Sequence, residues 1–214
     1  MLFNKKIVYL DKINVNMKNM NEQPDLFYDI DIDAFHKVAE SIQDVLIEKN
    51  KRYGNSALEP LNVFYKGSAT DSICIRLDDK LSRIKNSTIL RKNDLYDLLG
   101  YCLLYMVKCD VGSAPFEAKL RSIINSAETS YINGLIRVNK YIGEEPYPRT
   151  GYLYDGFSKE NYIDNPLIKS LNGVCSEIKA NNMMVQQRLV QQLINFLIVY
   201  FIQNGITDFS DLID

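Results

Sequence analysis

Apolar side chains spaced three and four residues apart recur along most of this chain, and that rhythm restricts it to packed helices. Phe35, Val38, Ala39, Ile42, Val45 and Leu46 form one stripe behind Asp33, which is placed to cap. Ile73, Leu77, Leu81 and Ile84 form a second, in a helix predicted to start at Thr70 or Asp71. Leu95, Leu98, Leu99, Cys102, Leu103 and Met106 make a third, broader face, with Asn93 as its expected cap. Gly54 and Pro60 close the first helix and open a loop. Three amphipathic helices on short links read as the core of a bundle.

After a break at 110–115, a long helix is expected over 116–142, with Leu120, Ile123, Ile124, Ala127, Tyr131, Leu135 and Val138 inward. Residues 143–165 show no periodicity and carry Tyr147, Tyr152, Tyr154 and Tyr162 around Arg149. A loop of that length is either a functional lid, a surface for a partner protein, or an irregular packed segment. Two further helices are expected near 166–180 and 183–204. The second is apolar around most of its circumference, which predicts a homo-oligomer, a dimer first, to cover it. Only residues 6–10 (KIVYL) suggest a strand. The chain is therefore read as mostly α, with an N-terminal segment at 1–33, a helical core at 34–109 and a helical C-terminal extension at 110–214.

With 214 residues, the chain can bury a substantial core without disulfides or a structural metal. A formal net charge of −2 argues against an extended nucleic-acid surface, while a local basic pocket remains compatible with it. Four cysteines without CxxC spacing, and a single histidine (His36), argue against zinc and for reduced thiols in a cytoplasmic protein. His36 has no matched nucleophile and reads as a surface residue. Met1 to Met20 is read as carrying no signal peptide, and Leu193 to Ile202 is too short to span a bilayer, so no membrane association is expected.

The polar residues raise a sharper question. Asp94 and Asp97 stand one turn apart on the third helix, Glu40 and Asp44 one turn apart on the first, and Asp79 lies on the second. Brought together, these oxygens would suit Mg²⁺; kept apart, they are solvated faces. Arg76, Lys80 and Arg83 recur at i, i+4 and i+7 and are expected to share a face able to hold phosphate. The plainer alternative is an Asp79–Arg83 surface pair. Lys49, Asn50, Tyr53, Gly54 and Ser56 form a polar turn after the first helix, where Tyr53 either stacks on a base or packs.

The order of these motifs is similar to that of the nucleotide modification associated domain of type 1. That family resembles the all-α, MazG-like nucleoside triphosphate pyrophosphatases. The likeness rests on Lys49-Asn50-x-x-Tyr53-Gly54, on Arg76-x-x-Asp79-Lys80-x-x-Arg83, and on Asp94-x-x-Asp97-Leu98-x-x-Tyr101, within residues 34–109. It implies a MazG-like bundle that cleaves a (deoxy)nucleoside triphosphate to monophosphate and pyrophosphate with Mg²⁺, in a bacterial or phage-infected cell. By the same resemblance Asp79 and Lys80 are the catalytic residues. Lys49, Asn50, Tyr53, Arg76, Arg83 and Tyr101 would hold the substrate, and Glu40, Asp44, Asp79, Asp94 and Asp97 the metal. The pattern departs from the family at Glu40-x-x-Gln43, where an amide replaces a carboxylate. Two alternatives stand beside hydrolysis. One is a non-catalytic protein that sequesters a nucleotide or a nucleotide-derived signal in phage counter-defence; the other is a helical protein-interaction module.

Overall fold

The computed structural model describes residues 31–64, 66–87, 89–143, 166–180 and 183–213. Among these residues the protein is a bundle of six α-helices without strands: α1 (Ile32–Arg52), α2 (Ala69–Asn86), α3 (Lys92–Cys109), α4 (Phe116–Gly143), α5 (Pro166–Ala180) and α6 (Met183–Gln203). A short 3₁₀ turn, Ser210–Leu212, closes the chain. The candidate strand at 6–10 and the tyrosine-rich segment lie outside the described residues, apart from Gly143 at the end of α4.

Side-chain caps satisfy the first amides of α1 and α2, although not at the residues expected. Asp31, not Asp33, caps α1: its carboxylate accepts a hydrogen bond from the Ala34 amide at 2.8 Å. Ser68 opens α2 in a reciprocal box with Asp71, the hydroxyl accepting from the Asp71 amide and the carboxylate from the Ser68 amide. The Ser68 hydroxyl, donating to the Asp71 carboxylate at 2.8 Å, and then the Ser68 amide hold that carboxyl below the usual carboxylate range. Asn93 does not cap α3, which starts one residue earlier at Lys92 and has no side-chain cap bond.

The core is built on α3 and α6. Helix α3 packs against α2, α4 and α6, and α6 in turn packs against α1, α3, α4 and α5. Leu98, Leu99, Cys102 and Leu103 of α3 and Leu189, Ile194, Leu197 and Phe201 of α6 are fully buried. Most described apolar side chains of α6 are buried by helices of its own chain, while Phe196, Tyr200 and Ile202 are only partly covered. Of the described side chains in the expected inward stripe of α4, Leu120, Ile124, Ala127 and Tyr131 are buried and Ile123 is half-buried; the side chains of Leu135 and Val138 lie outside the described ones.

All four cysteines are free thiols. Burial pushes the Cys102 thiol far above its ordinary range and that of Cys175 up to about 12, so both are inert core residues. Among the described residues no helix is long and apolar enough to cross a membrane.

The chain end is docked into this core. Helix α6 stops at a left-handed Gly205 (φ 65°), with the Ile206 amide donating back to the Phe201 carbonyl at 2.9 Å. That reversal delivers Phe209 into the bundle, where it is completely buried. Its ring meets Phe201 edge-on at 4.8 Å and Tyr96 of α3 at 5.3 Å. Its amide donates to the Ser41 hydroxyl of α1 at 2.8 Å. Outside the core, Lys92 pairs with Asp211, and Arg52 donates to the Ile213 carbonyl at 3.0 Å.

Phe209→Ala should therefore destabilise the protein by roughly 3–5 kcal/mol, the range for emptying a buried phenylalanine site. Phe64→Ala, at a side chain 99% exposed in the α1–α2 loop, should change stability by less than about 0.5 kcal/mol. Urea unfolding of both variants measures the contrast, and equal losses would contradict the docked chain end.

Candidate functional site

A pocket of about 360 Å³ opens between the C-terminal end of α1 and the middle of α3. From the first side come Leu46, Lys49, Asn50, Tyr53, Ser56 and Ala57; from α3 come Tyr96, Asp97, Gly100, Tyr101 and Leu104.

The α1 side is shaped by how that helix ends. The Asn55 amide donates to the Asn50 carbonyl at 3.0 Å and the Gly54 amide to the Lys51 carbonyl at 3.2 Å. This closure needs left-handed backbone at Gly54 (φ 58°), and Asn55 follows it at φ 61°. A Cβ at Gly54 would meet nothing within 4 Å, so the glycine serves the turn and not a close approach. The turn leaves Tyr53 60% exposed at the rim and Ser56 beside it.

Two cations bear on the site, and their situations differ. The Lys49 ammonium lies 5.1 Å from the centre of the Tyr96 ring, a cation–π contact, and makes no ion pair among the described residues. Lys80 of α2 is itself buried and donates to the Asp97 carboxylate at 2.8 Å, while the Asp97 side chain keeps 33% exposure. Tyr96 is buried, and its hydroxyl has no hydrogen-bond partner among the described residues. Burial, and then Asp97, raise its phenol well above the usual tyrosine range, which keeps it neutral.

Of the six residues expected to hold substrate, Lys49, Asn50, Tyr53 and Tyr101 line this pocket. Arg76 and Arg83 do not: both are exposed on α2, and Arg83 pairs with Asp79 on its own helix at 3.5 Å. The expected basic face of α2 is therefore divided. Lys80 follows Leu77 by three residues and precedes Ile84 by four, which puts it at the edge of the buried Ile73–Leu77–Ile84 stripe. The helix packing then carries it inward, away from Arg76 and Arg83.

The metal expectation fares differently. Among the described residues no three His, Cys, Asp or Glu side chains come together as a set able to hold a metal ion. Asp97 alone of Glu40, Asp44, Asp79, Asp94 and Asp97 reaches the pocket, and it is engaged by Lys80. Asp79 is tied to Arg83, and Glu40 and Asp44 face solvent on α1. The donor set does not fit Mg²⁺. For the same reason Asp79 and Lys80 do not stand together as a metal ligand and a phosphate-neutralising cation.

Sequence reasoning missed Tyr96 and Gly100. Tyr96 was hidden by its position beside Asp97, on a helix where several faces are buried. Gly100 left a clearer trace, as a glycine in a helix interior, where it costs about 1 kcal/mol relative to alanine. The protein itself does not demand it: an added Cβ would meet only Leu46 Cδ1, at an ordinary 3.7 Å. What the missing methyl does provide is space in the pocket wall.

No protein-family model, curated protein or solved structure matches this chain. The likeness to nucleotide modification associated domains rests on the three sequence motifs alone.

The Lys80–Asp97 pair should break asymmetrically. Asp97→Asn leaves a buried ammonium without its counter-charge and should cost about 1–3 kcal/mol, below the value for a fully buried pair because Asp97 is partly solvated. Lys80→Met leaves a carboxylate that water can reach and should cost less. Denaturation of the two variants reads the order, and the reverse order would place the confined charge on Asp97.

Proposed function

We propose that this protein binds a nucleotide or a nucleotide-derived small molecule in the α1–α3 pocket, as a binding protein and not as a Mg²⁺-dependent hydrolase. The observation that carries this reading is the meeting of Lys49, Asn50, Tyr53 and Tyr101 in one cavity. These residues come from the two outer motifs of the resemblance, far apart in sequence. Their chemistry suits the ligand: tyrosine rings present flat apolar faces to a base, an asparagine amide can donate and accept at a base edge, and a lysine meets phosphate as a point charge. Gly100 supports the reading, since a helix-weakening residue stands in the pocket wall where an added Cβ would meet Leu46 at an ordinary distance.

Hydrolysis is set aside on the donor set. Metal-assisted attack on a phosphoryl group needs several oxygen ligands around one ion, and no three of the described carboxylates come together as such a set. In the phage-infected cell that the resemblance implies, a pocket of this kind would withhold a nucleotide-derived signal from its receptor.

Thermal melting with a panel of nucleosides and nucleotides tests the reading, because a ligand that binds only the folded state raises the melting temperature by mass action. At least one member should raise it in the native protein, and Tyr53→Ala or Asn50→Ala should abolish the rise. A flat response across the panel would overturn the proposal. Gly100→Ala gives an independent check: it should stabilise the unliganded protein by roughly 0.5–1 kcal/mol and reduce the ligand-induced rise. A gain in stability with undiminished binding would remove the glycine from the site.

A further inference from the structure

The charge inventory of the pocket narrows the ligand. Resting on the nucleotide reading above, we infer that the pocket takes a planar base carrying a single phosphate group, and not a polyphosphate.

Among the described residues three charged side chains bear on the cavity, Lys49, Lys80 and Asp97, and the last two cancel. Asp97 is neutralised by Lys80 at 2.8 Å. Lys49 is left as the pocket cation without an ion pair among the described residues. The backbone adds no further positive charge, since the pocket lies at the C-terminal end of α1, where the helix dipole presents about half a negative charge. A triphosphate brings about four negative charges and is ordinarily accompanied by Mg²⁺, which needs carboxylates to anchor it. Neither requirement is met: Arg76 and Arg83 lie outside the pocket, and no described carboxylate cluster stands beside it. One ammonium balances the single charge of a cyclic phosphodiester and about half of the −1.5 to −2 of a phosphomonoester, and falls well short of a triphosphate.

Size agrees with charge. The cavity, about 360 Å³, lies near the lower end of the roughly 300–1,000 Å³ of small-molecule sites. That space suits a base, a sugar and one phosphate. Tyr53 and Tyr101 offer the ring contacts, and Lys49, placed over the Tyr96 face, is held where it can meet the phosphate. A phosphomonoester and a cyclic phosphodiester share this chemistry, and both are included in the test.

Isothermal titration of the full chain should compare four ligand forms for each common base: the nucleoside, its 5′-monophosphate, its 3′,5′-cyclic monophosphate, and its triphosphate with Mg²⁺. For the preferred base, one of the single-phosphate forms should bind at least about tenfold more tightly than both the nucleoside and the triphosphate, the effect of one charge-assisted hydrogen bond. Whether the open or the cyclic form leads tells monoester from diester. Lys49→Met should erase the advantage of the single-phosphate form over the nucleoside. Tightest binding of the Mg²⁺–triphosphate, or equal binding of nucleoside and monophosphate, would overturn the single-phosphate assignment and leave the nucleotide reading standing. An absence of binding by every form would overturn the nucleotide reading itself.

Discussion

The burial of α3 on several faces at once constrains everything around it. Leu95, Leu98, Leu99, Cys102 and Leu103 have no exposed surface to speak of, because α2, α4 and α6 all lean on this helix. A helix held from several directions cannot rotate to improve a single contact without opening others, since close-packed interiors transmit displacement. The residues left at its open edge, Asp97, Gly100 and Tyr101, are consequently fixed relative to the end of α1. A pocket built on such a helix is preorganised, which lowers the ordering cost of binding.

The buried ion pair follows from the same packing. Lys80 rides on the edge of the apolar stripe of α2, and docking α2 onto α3 takes its long side chain out of water. A buried ammonium needs a counter-charge, and Asp97 is the carboxylate that α3 supplies. Such a pair adds little net stability compared with apolar packing. It does, however, hold α2 to α3 in one register, and it keeps a carboxylate at the pocket wall without leaving its charge uncompensated.

The chain end reaches the same place from the opposite side. Phe209 packs on Tyr96, and Lys49 lies over the Tyr96 ring, so the pocket cation and the C-terminal segment share one aromatic neighbour. Lys92 pairs with Asp211 while its ammonium also lies 5.3 Å from the centre of the Phe209 ring. Residues more than a hundred positions apart thus meet around the pocket wall. The C-terminal helices are part of the support of the site and not an appendage to a smaller core.

The sequence by itself determined the helices and where most of them stop. The spacing of Phe35 to Leu46, of Ile73 to Ile84 and of Leu95 to Met106 is a local property, and so is the left-handed turn at Gly54. These depend on residues within a few positions of one another, so they are legible in one dimension. The turn expected at Lys49–Ser56 begins later than its composition suggested: Lys49 and Asn50 lie in the last turn of α1, and the chain leaves the helix only at Tyr53 and Gly54. Which charges meet was decided only by the tertiary structure. Arg76, Lys80 and Arg83 look equivalent in the sequence, yet docking buries Lys80 and leaves the other two in solvent. Asp79, Asp94 and Asp97 look able to converge, yet docking gives Asp97 to Lys80 and leaves Asp79 to Arg83 on its own helix, and no metal-binding set of three forms among the described residues. The apolar circumference of α6 likewise says that it must be covered, but not by what. Periodicity specifies that a face is buried; the neighbour that buries it is chosen by packing among all the helices at once.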